Sequence, residues 1–368
     1  MKNRKKVPLE VPKPNIETFC KTIKREIIPS RPPLVELIID EAIMKYLMKQ
    51  KAGVKWIDAV SGDMNSERGN IKSIIGFWYR FGYDYVRLSG GLDFLGKKRI
   101  ASDTSSLSKG QRSWSEEGKG VITSWDEFEK YPWPSLDNVD LWRYEFASQN
   151  LPEGMGLFVC PSSGILEVPL NTLLGYETLA YGIYDQPDLI EAVFQKTGEL
   201  IYGFYKKIIG LPNLYGFFQG DDMGFKTSTL MSPDFLRKYV LPWHKKIASL
   251  AHENNLLYLL HACGNVEDIM EDLIEDVKID AKHSFEDTII PVTKFHKKYG
   301  SRIAVLGGID VDVLCRFPKD KLRAYIRNVL QECVPKGGYA LGSGNSVANY
   351  VSSENYLIMI EEGLNFNI

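Results

Sequence analysis

The chain has 368 residues, 44% of them apolar and 25% charged, with a formal net charge of −2. That is the balance of a globular protein able to bury a large core, and it excludes a basic nucleic-acid or anionic-membrane surface as the main feature of the chain. The five cysteines (Cys20, Cys160, Cys263, Cys315 and Cys333) are odd in number and far apart, which excludes a disulfide framework and predicts a reducing, cytoplasmic setting.

The chain opens "MKNRKKVPLEVPKPN". The basic start is not followed by an apolar run, and three prolines intervene, so it does not read as an export signal. No stretch approaches the roughly 18 apolar residues of a membrane span. Residues 1–14 are expected as a loose arm, within an N-terminal arm 1–31 ahead of one domain, 32–368.

Eight short apolar runs then follow. They are "PPLVELII" (32–39), "YDYVRLSG" (83–90), "GLFVCPS" (156–162), "LYGFFQGDD" (214–222), "LLYLLHACG" (256–264), "DAKHSFED" (280–287), "RIAVLGGID" (302–310) and "GYALGSGNS" (338–346). Their nearly continuous apolarity predicts strands buried on both faces of a parallel sheet. Helical patterns lie between them. Ile71, Ile74, Ile75, Trp78 and Tyr79 share one helical stripe. Ser232 and Pro233 open a second helix as N-cap and first residue, and Pro242 should break it. "VEDIMEDLIED", "PVTKFHKKYG", "PKDKLRAYIRNVLQECV" and "SSENYLIMIEEG" continue the series, with Gly300 and Gly363 where C-terminal caps belong.

Eight alternating units predict an α/β fold, a single (β/α)8 TIM barrel. A doubly wound open sheet is the rival, but no G-x-G-x-x-G turn follows the first run. An insertion of about 65 residues, 91–155, separates the second and third strands. It reads as a hairpin or lid followed by a capping helix, placed to cover the barrel mouth.

Barrel active sites form at the C-terminal strand ends. The first three ends supply Glu36, Asp40, Arg87, Ser89, Cys160 and Ser162, and the fourth Gln219, Asp221 and Asp222. The later ends supply His261 and Cys263, His283 and Glu286, Asp310, then Ser343 and Asn345. His261 and Cys263 stand at i and i+2 and so aim at one face. Imidazole beside thiolate suits zinc, with a third ligand from Asp222, His283 or Glu286. The plainer reading makes Cys263 a small buried hydrophobe and His261 a hydrogen-bonded core residue. Only one of Asp221 and Asp222 faces the mouth, and Asp222 shares parity with Gly220. Its roles would be metal ligand, proton acceptor or anchor for a cationic group, against a turn and helix cap. His283 and Glu286 read as an acid/base or ligand pair, or as a cap. Asp310 reads as a helix N-terminal residue or a site residue, Ser343 and Asn345 as donors of an anion nest or of a turn. Arg87 reads as a carboxylate holder or a structural arginine.

The order "QGDDMG…LMSPDFLRKYVLPWHKKI…HACGNVEDIMEDLIE…GGID…GGYALGSGNSV…ENYLIMIEEG" resembles the uroporphyrinogen decarboxylase superfamily, from about Pro32 to Gly363 and most strongly after Gly154. The resemblance implies a (β/α)8 barrel and two functional branches. The decarboxylases work without metal. They carry R-Q-A-G-R-Y near the N-terminus, where this chain has "RPPLVELIIDEA". They carry F-S-D after the second strand, where it has "RLSGGLD", and L-G-H-G after the eighth, where Ser343 replaces the histidine. The methyltransferases of corrinoid-dependent metabolism bind zinc through H-x-C after the fifth strand and a cysteine after the eighth. His261 and Cys263 match the first part, and Ser343 or a neighbour stands at the second. The resemblance therefore implies a divergent member nearer the methyltransferase branch, holding zinc and using a methyl-corrinoid on a partner protein. A metal-free decarboxylase and a non-catalytic corrinoid- or porphyrin-binding barrel are the alternatives, and a homodimer is a further expectation.

Overall fold

A computed structural model of the protein describes residues 4–102, 111–115, 118 and 120–367. Seven of the eight apolar runs become parallel strands of one curled sheet. They are β1 (Tyr85–Ser89), β4 (Gly156–Cys160), β5 (Leu214–Gly220), β6 (Leu257–His261), β7 (Ala281–His283), β8 (Ala304–Leu306) and β9 (Tyr339–Ala340), hydrogen-bonded in that order. β2 (Lys98–Ser102) and β3 (Gln111–Ser115) form a separate antiparallel pair. Every residue of β4 and β6 is buried, as strands with a packed layer on each face require.

The first run is the exception, so an eight-stranded ladder does not close. Residues 34–39 make only isolated bridges beyond β9, Leu34 with Leu341 and Ile39 with Val347. Towards β1 no backbone ladder forms. The Tyr85 hydroxyl instead takes both main-chain groups of Glu36, receiving its N–H at 2.9 Å and donating to its carbonyl at 2.7 Å. Pro32 and Pro33 lack N–H groups, which shortens any ladder this segment could offer.

The N-terminal arm is not loose. Val7 is buried, the Leu9 N–H bonds the Arg80 carbonyl at 2.7 Å, and Asn15 caps a helix Ile16–Ile23. Phe19 of that helix is fully buried and lies 5.2 Å from the Tyr85 ring and 5.7 Å from Phe158. The arm thus packs against the start of the sheet, because Ile16, Phe19 and Ile23 form an apolar stripe that a run of prolines and charges precedes.

Pro242 breaks its helix as expected, into Pro233–Tyr239 and Leu241–Glu253, and the Ser232 side chain caps the first piece. The segment after β6 is a 3-10 turn, Glu267–Ile269, and a π-helical turn, Asp272–Val277, rather than one α-helix. Gly300 caps its helix, but the last helix continues past Gly363 to Asn365. A Cβ at Gly363 would lie 2.5 Å from Leu341 Cδ2, so this glycine serves close helix–sheet packing. Among the described residues no helix is long and apolar enough to cross a membrane.

The insertion supplies the β2–β3 pair, a short helix Trp125–Lys130 and a helix Trp142–Gln149; residues 103–110 between the two strands lie outside the described residues. Tyr144 anchors the helix to the sheet rim by donating to the Gly90 carbonyl and, at 3.3 Å, to that of Cys160. A cavity of about 520 Å3 lies between the ends of β1 and this helix.

Candidate metal centre at the barrel mouth

The sheet register places the site. Gly220 is opposite His261, and His261 is opposite His283. Paired residues of neighbouring parallel strands point to the same face, so the two imidazoles meet there. Their Nδ1 atoms are 2.7 Å apart. His283 Nε2 faces the Ser343 carbonyl at 3.3 Å, which accepts only a proton-bearing nitrogen. Burial lowers the pKa of both rings; His261 lowers that of His283 further, while Asp222 opposes the effect of burial at His261. A neutral His283 with its proton on Nε2 must accept at Nδ1, and His261 must donate from its own Nδ1. That leaves an unprotonated Nε2 on His261.

That Nε2 faces Cys263 Sγ at 3.2 Å and Asp222 Oδ1 at 3.4 Å. One donor atom from each of Asp222, His261 and Cys263 lies within 4.8 Å of the others. Asp222 also accepts the Cys263 N–H at 3.0 Å, so one carboxylate holds the Cys263 backbone and faces the His261 ring. Burial would raise the Asp222 pKa, but the neighbouring His261 ring and the Cys263 N–H that the carboxylate accepts act to lower it. Burial, then the Asp222 charge, pushes the Cys263 thiol well above the usual range. Asn345 donates to its sulfur at 3.1 Å, and Ser284 at 3.5 Å. Nitrogen, sulfur and oxygen donors on one small face, with no lysine or arginine bonded to them among the described residues, fit a zinc ion.

Arg87, Glu167, Asp222 and His261 line a mouth cavity of about 410 Å3, with Leu37 and Ile38 on its apolar side. Arg87 donates to the Phe218 carbonyl at 3.1 Å and the Leu37 carbonyl at 3.3 Å. Glu167 was not singled out by the sequence. It stands at the start of the helical segment after β4, and no periodicity marks it. Asp221, fully buried, places it: its carboxylate accepts the Leu166 N–H at 3.0 Å and the Glu167 N–H at 3.1 Å. Gly164 permits this, since a Cβ there would lie 2.0 Å from Asp221 Cγ. Behind Asp221, His244 Nε2 bonds its Oδ2 at 2.8 Å, and His244 Nδ1 meets the Tyr258 hydroxyl at 2.6 Å. Burial, then the charges of Asp222 and Asp221, raises the Glu167 pKa to about 8.

Other expected residues lie elsewhere. Gln219 alternates away from the mouth and accepts from Tyr205 at 2.6 Å in the outer helical layer. Glu286 and Asp310 line a neighbouring cavity of about 450 Å3, where Asp310 accepts the Asp312 N–H at 2.7 Å as a helix cap. Ser343 turns from the metal cluster to Glu36: its N–H donates at 2.9 Å, and its hydroxyl bonds the other carboxyl oxygen. Burial pushes Glu36 up to about 8 against those bonds. Lys282 was also missed, although a lysine inside an apolar run was a signal. It is buried, donates to the Ser284 carbonyl at 2.6 Å, and burial lowers its pKa to about 8.

The family profile described as uroporphyrinogen decarboxylase (URO-D) matches residues 171–363, more than half of the chain. The chain belongs to the URO-D family. The matched span carries Asp222, His261, Cys263, His283 and Asn345. The chain is similar in structure to a methyltransferase from Methanosarcina mazei, with a TM-score of 0.69 at 17% identity over 96% of this chain and 99% of that one. It is also similar to a protein from Listeria monocytogenes assigned as a vitamin-B12 independent methionine synthase, with a TM-score of 0.50 at 10% identity over 92% and 96%. At these identities the likeness is one of fold. No protein of curated function matches significantly.

Proposed function

We propose that this URO-D protein is a methyltransferase with a thiol acceptor, and that Asp222, His261 and Cys263 hold zinc. The observation that carries the reading is the placement of His261, whose Nδ1 meets His283 at 2.7 Å and whose Nε2 faces a thiol at 3.2 Å and a carboxylate at 3.4 Å. An imidazole oriented from behind in this way is the usual support of a metal ligand. Bound zinc would hold the acceptor as its thiolate at neutral pH. Asn345 and Ser284 direct hydrogen bonds at the Cys263 sulfur and so favour its deprotonated form. The half-buried walls limit water, and Arg87 offers a guanidinium to an acidic group of the substrate.

In the overall reaction a methyl group leaves a methyl-corrinoid on a partner protein, a C–S bond forms, and the thiol proton is released. Exposed Ile38 lines the mouth and exposed Tyr350 the neighbouring cavity, and both offer a partner apolar contact. Charge weighs against the metal-free decarboxylase. The cavity lining carries one cation, Arg87, beside two carboxyl groups, a poor match to a tetrapyrrole bearing several carboxylates.

Elemental analysis of the wild type and Cys263→Ser tests the reading. Near-stoichiometric zinc that falls in the variant is expected. Absence of metal from wild type prepared under metal-replete conditions would overturn it.

A further inference from the structure

A second charged cavity lies at the face opposite the mouth. The helix Lys319–Cys333 connects the end of β8 to the start of β9, so its second half, with Arg327, lies near the N-terminal ends of the strands. There Arg327, the arm residues Arg4 and Lys5, and the end of the last helix enclose about 570 Å3. Asn365 fixes the arm in place: its side chain accepts the Lys5 N–H at 2.7 Å and donates to the Lys5 carbonyl at 2.8 Å.

One buried carboxylate serves the whole cluster. Arg4, Arg323 and Arg327 all bond Glu362 Oε1, and Arg327 Nε bonds Oε2 at 2.9 Å. Burial would raise the Glu362 pKa, but Arg327, Arg323 and Arg4 hold it below the usual carboxylate range. A single bidentate guanidinium is enough for one carboxylate, so most of the remaining N–H donors are surplus. Lys5 has no carboxylate partner among the described residues, and burial, then the charge of Arg31, disfavours its ammonium form. Glu332, on the same helix as Arg327, is taken by Lys336 at 3.5 Å. The last helix turns its negative end here, but Asn365 Nδ2 and the Phe366 N–H already bond the Glu361 and Gly363 carbonyls at 2.7 and 3.3 Å. Four cations thus stand against one carboxylate, and such crowding of like charge opposes the folded state unless an anion shares it.

We propose that this cavity binds a phosphate monoester, its dianion set against Arg4, Lys5 and Arg327 and its organic part along Leu364 and Phe366. Guanidinium forks match phosphate oxygens in pairs, and the lysine adds a point charge. The volume is that of a small-ligand pocket, larger than a bare phosphate requires. The site is separate from the metal cluster and does not rest on the methyltransferase reading.

The test uses the full chain with phenyl phosphate as probe, at fixed ionic strength and about pH 8, where a phosphate monoester is a dianion. Calorimetry compares it with inorganic phosphate and with benzoate, which keeps the ring but carries a single charge. Phenyl phosphate should bind at least about tenfold more tightly than benzoate, and more tightly than inorganic phosphate. Arg4 and Lys5 are exposed, and their joint replacement, Arg4→Gln with Lys5→Gln, leaves Glu362 with two arginines. That variant should keep the circular dichroism of the wild type and bind phenyl phosphate about tenfold or more weakly. Vesicles containing phosphatidic acid separate the two sources of such a group. Sedimentation of the wild type with them, lost in the double variant, would place the phosphate on a lipid; no sedimentation keeps the ligand soluble. No binding of phenyl phosphate to folded wild type at millimolar concentration overturns the proposal. So does equal affinity for benzoate, or a double variant that binds as the wild type does.

Discussion

His261 and His283 face each other across two neighbouring strands with their Nδ1 atoms 2.7 Å apart, so one ring must donate and the other accept. His283→Phe removes the acceptor and frees the His261 ring to change tautomer. Loss of such a supporting bond costs about 10–100-fold in metal affinity. We expect that loss in chelator competition with Zn2+, together with about 1–3 kcal/mol lost in urea unfolding, because buried partners of His283 are left without a bond. His283→Gln, which restores a carbonyl acceptor, should recover part of it. Unchanged affinity in the phenylalanine variant would remove His283 from the support of the site.

Glu36 gives stability a pH slope. Its folded pKa, about 8, lies above the ordinary value of 4.5. Between those values the native state keeps a proton that the unfolded chain has released, so stability falls as pH rises and levels off above about 8. Glu36→Gln matches the protonated acid in shape and bonding to Ser343. Urea unfolding between pH 5 and 8.5 should show a shallower decline than wild type; an identical slope would refute the assignment.

The Tyr258–His244–Asp221 chain is fully buried, so each bond lost leaves an orphan. Tyr258→Phe strands His244 Nδ1 and should cost about 1–3 kcal/mol in denaturant unfolding. Zinc content should hold, because Asp222 is anchored separately by the Cys263 N–H. A variant as stable as wild type would show that the hydroxyl is dispensable.

Phe19→Ala tests whether the N-terminal arm belongs to the core. Deleting a fully buried phenylalanine typically costs about 3–5 kcal/mol. A loss below about 1 kcal/mol would mean that the arm packs weakly.

The strands were legible because burial on both faces leaves uninterrupted apolar runs, and seven of those runs pair as expected. The first run misled for a physical reason: apolarity records burial, and Leu34 to Ile39 are largely buried without making a ladder. His261 and Cys263 could be placed together from strand parity, and Asp222 from its parity with Gly220. The bond between His261 and His283 could not, because it depends on register between strands 22 residues apart in the chain. Glu167 was hidden for a similar reason. It begins a helical segment just after a turn, and the buried carboxylate that orients it lies 54 residues away. The buried arm was missed because prolines and lysines precede its apolar stripe.

The seam between residues 34–39 and β1 has a consequence for how the wall breathes. Around the rest of the sheet, main-chain ladders join each strand to the next. Here the hydroxyl of Tyr85 and the guanidinium of Arg87 bridge the gap. Opening a ladder requires several amides to part together, whereas two side chains can swing by rotamer changes alone. Leu37 and Ile38 form the mouth wall at this seam, so the least cooperative part of the circumference borders the mouth cavity. Amide exchange should therefore be faster along this segment than along β4 to β6, and the same slack gives a ligand a side door beside the mouth.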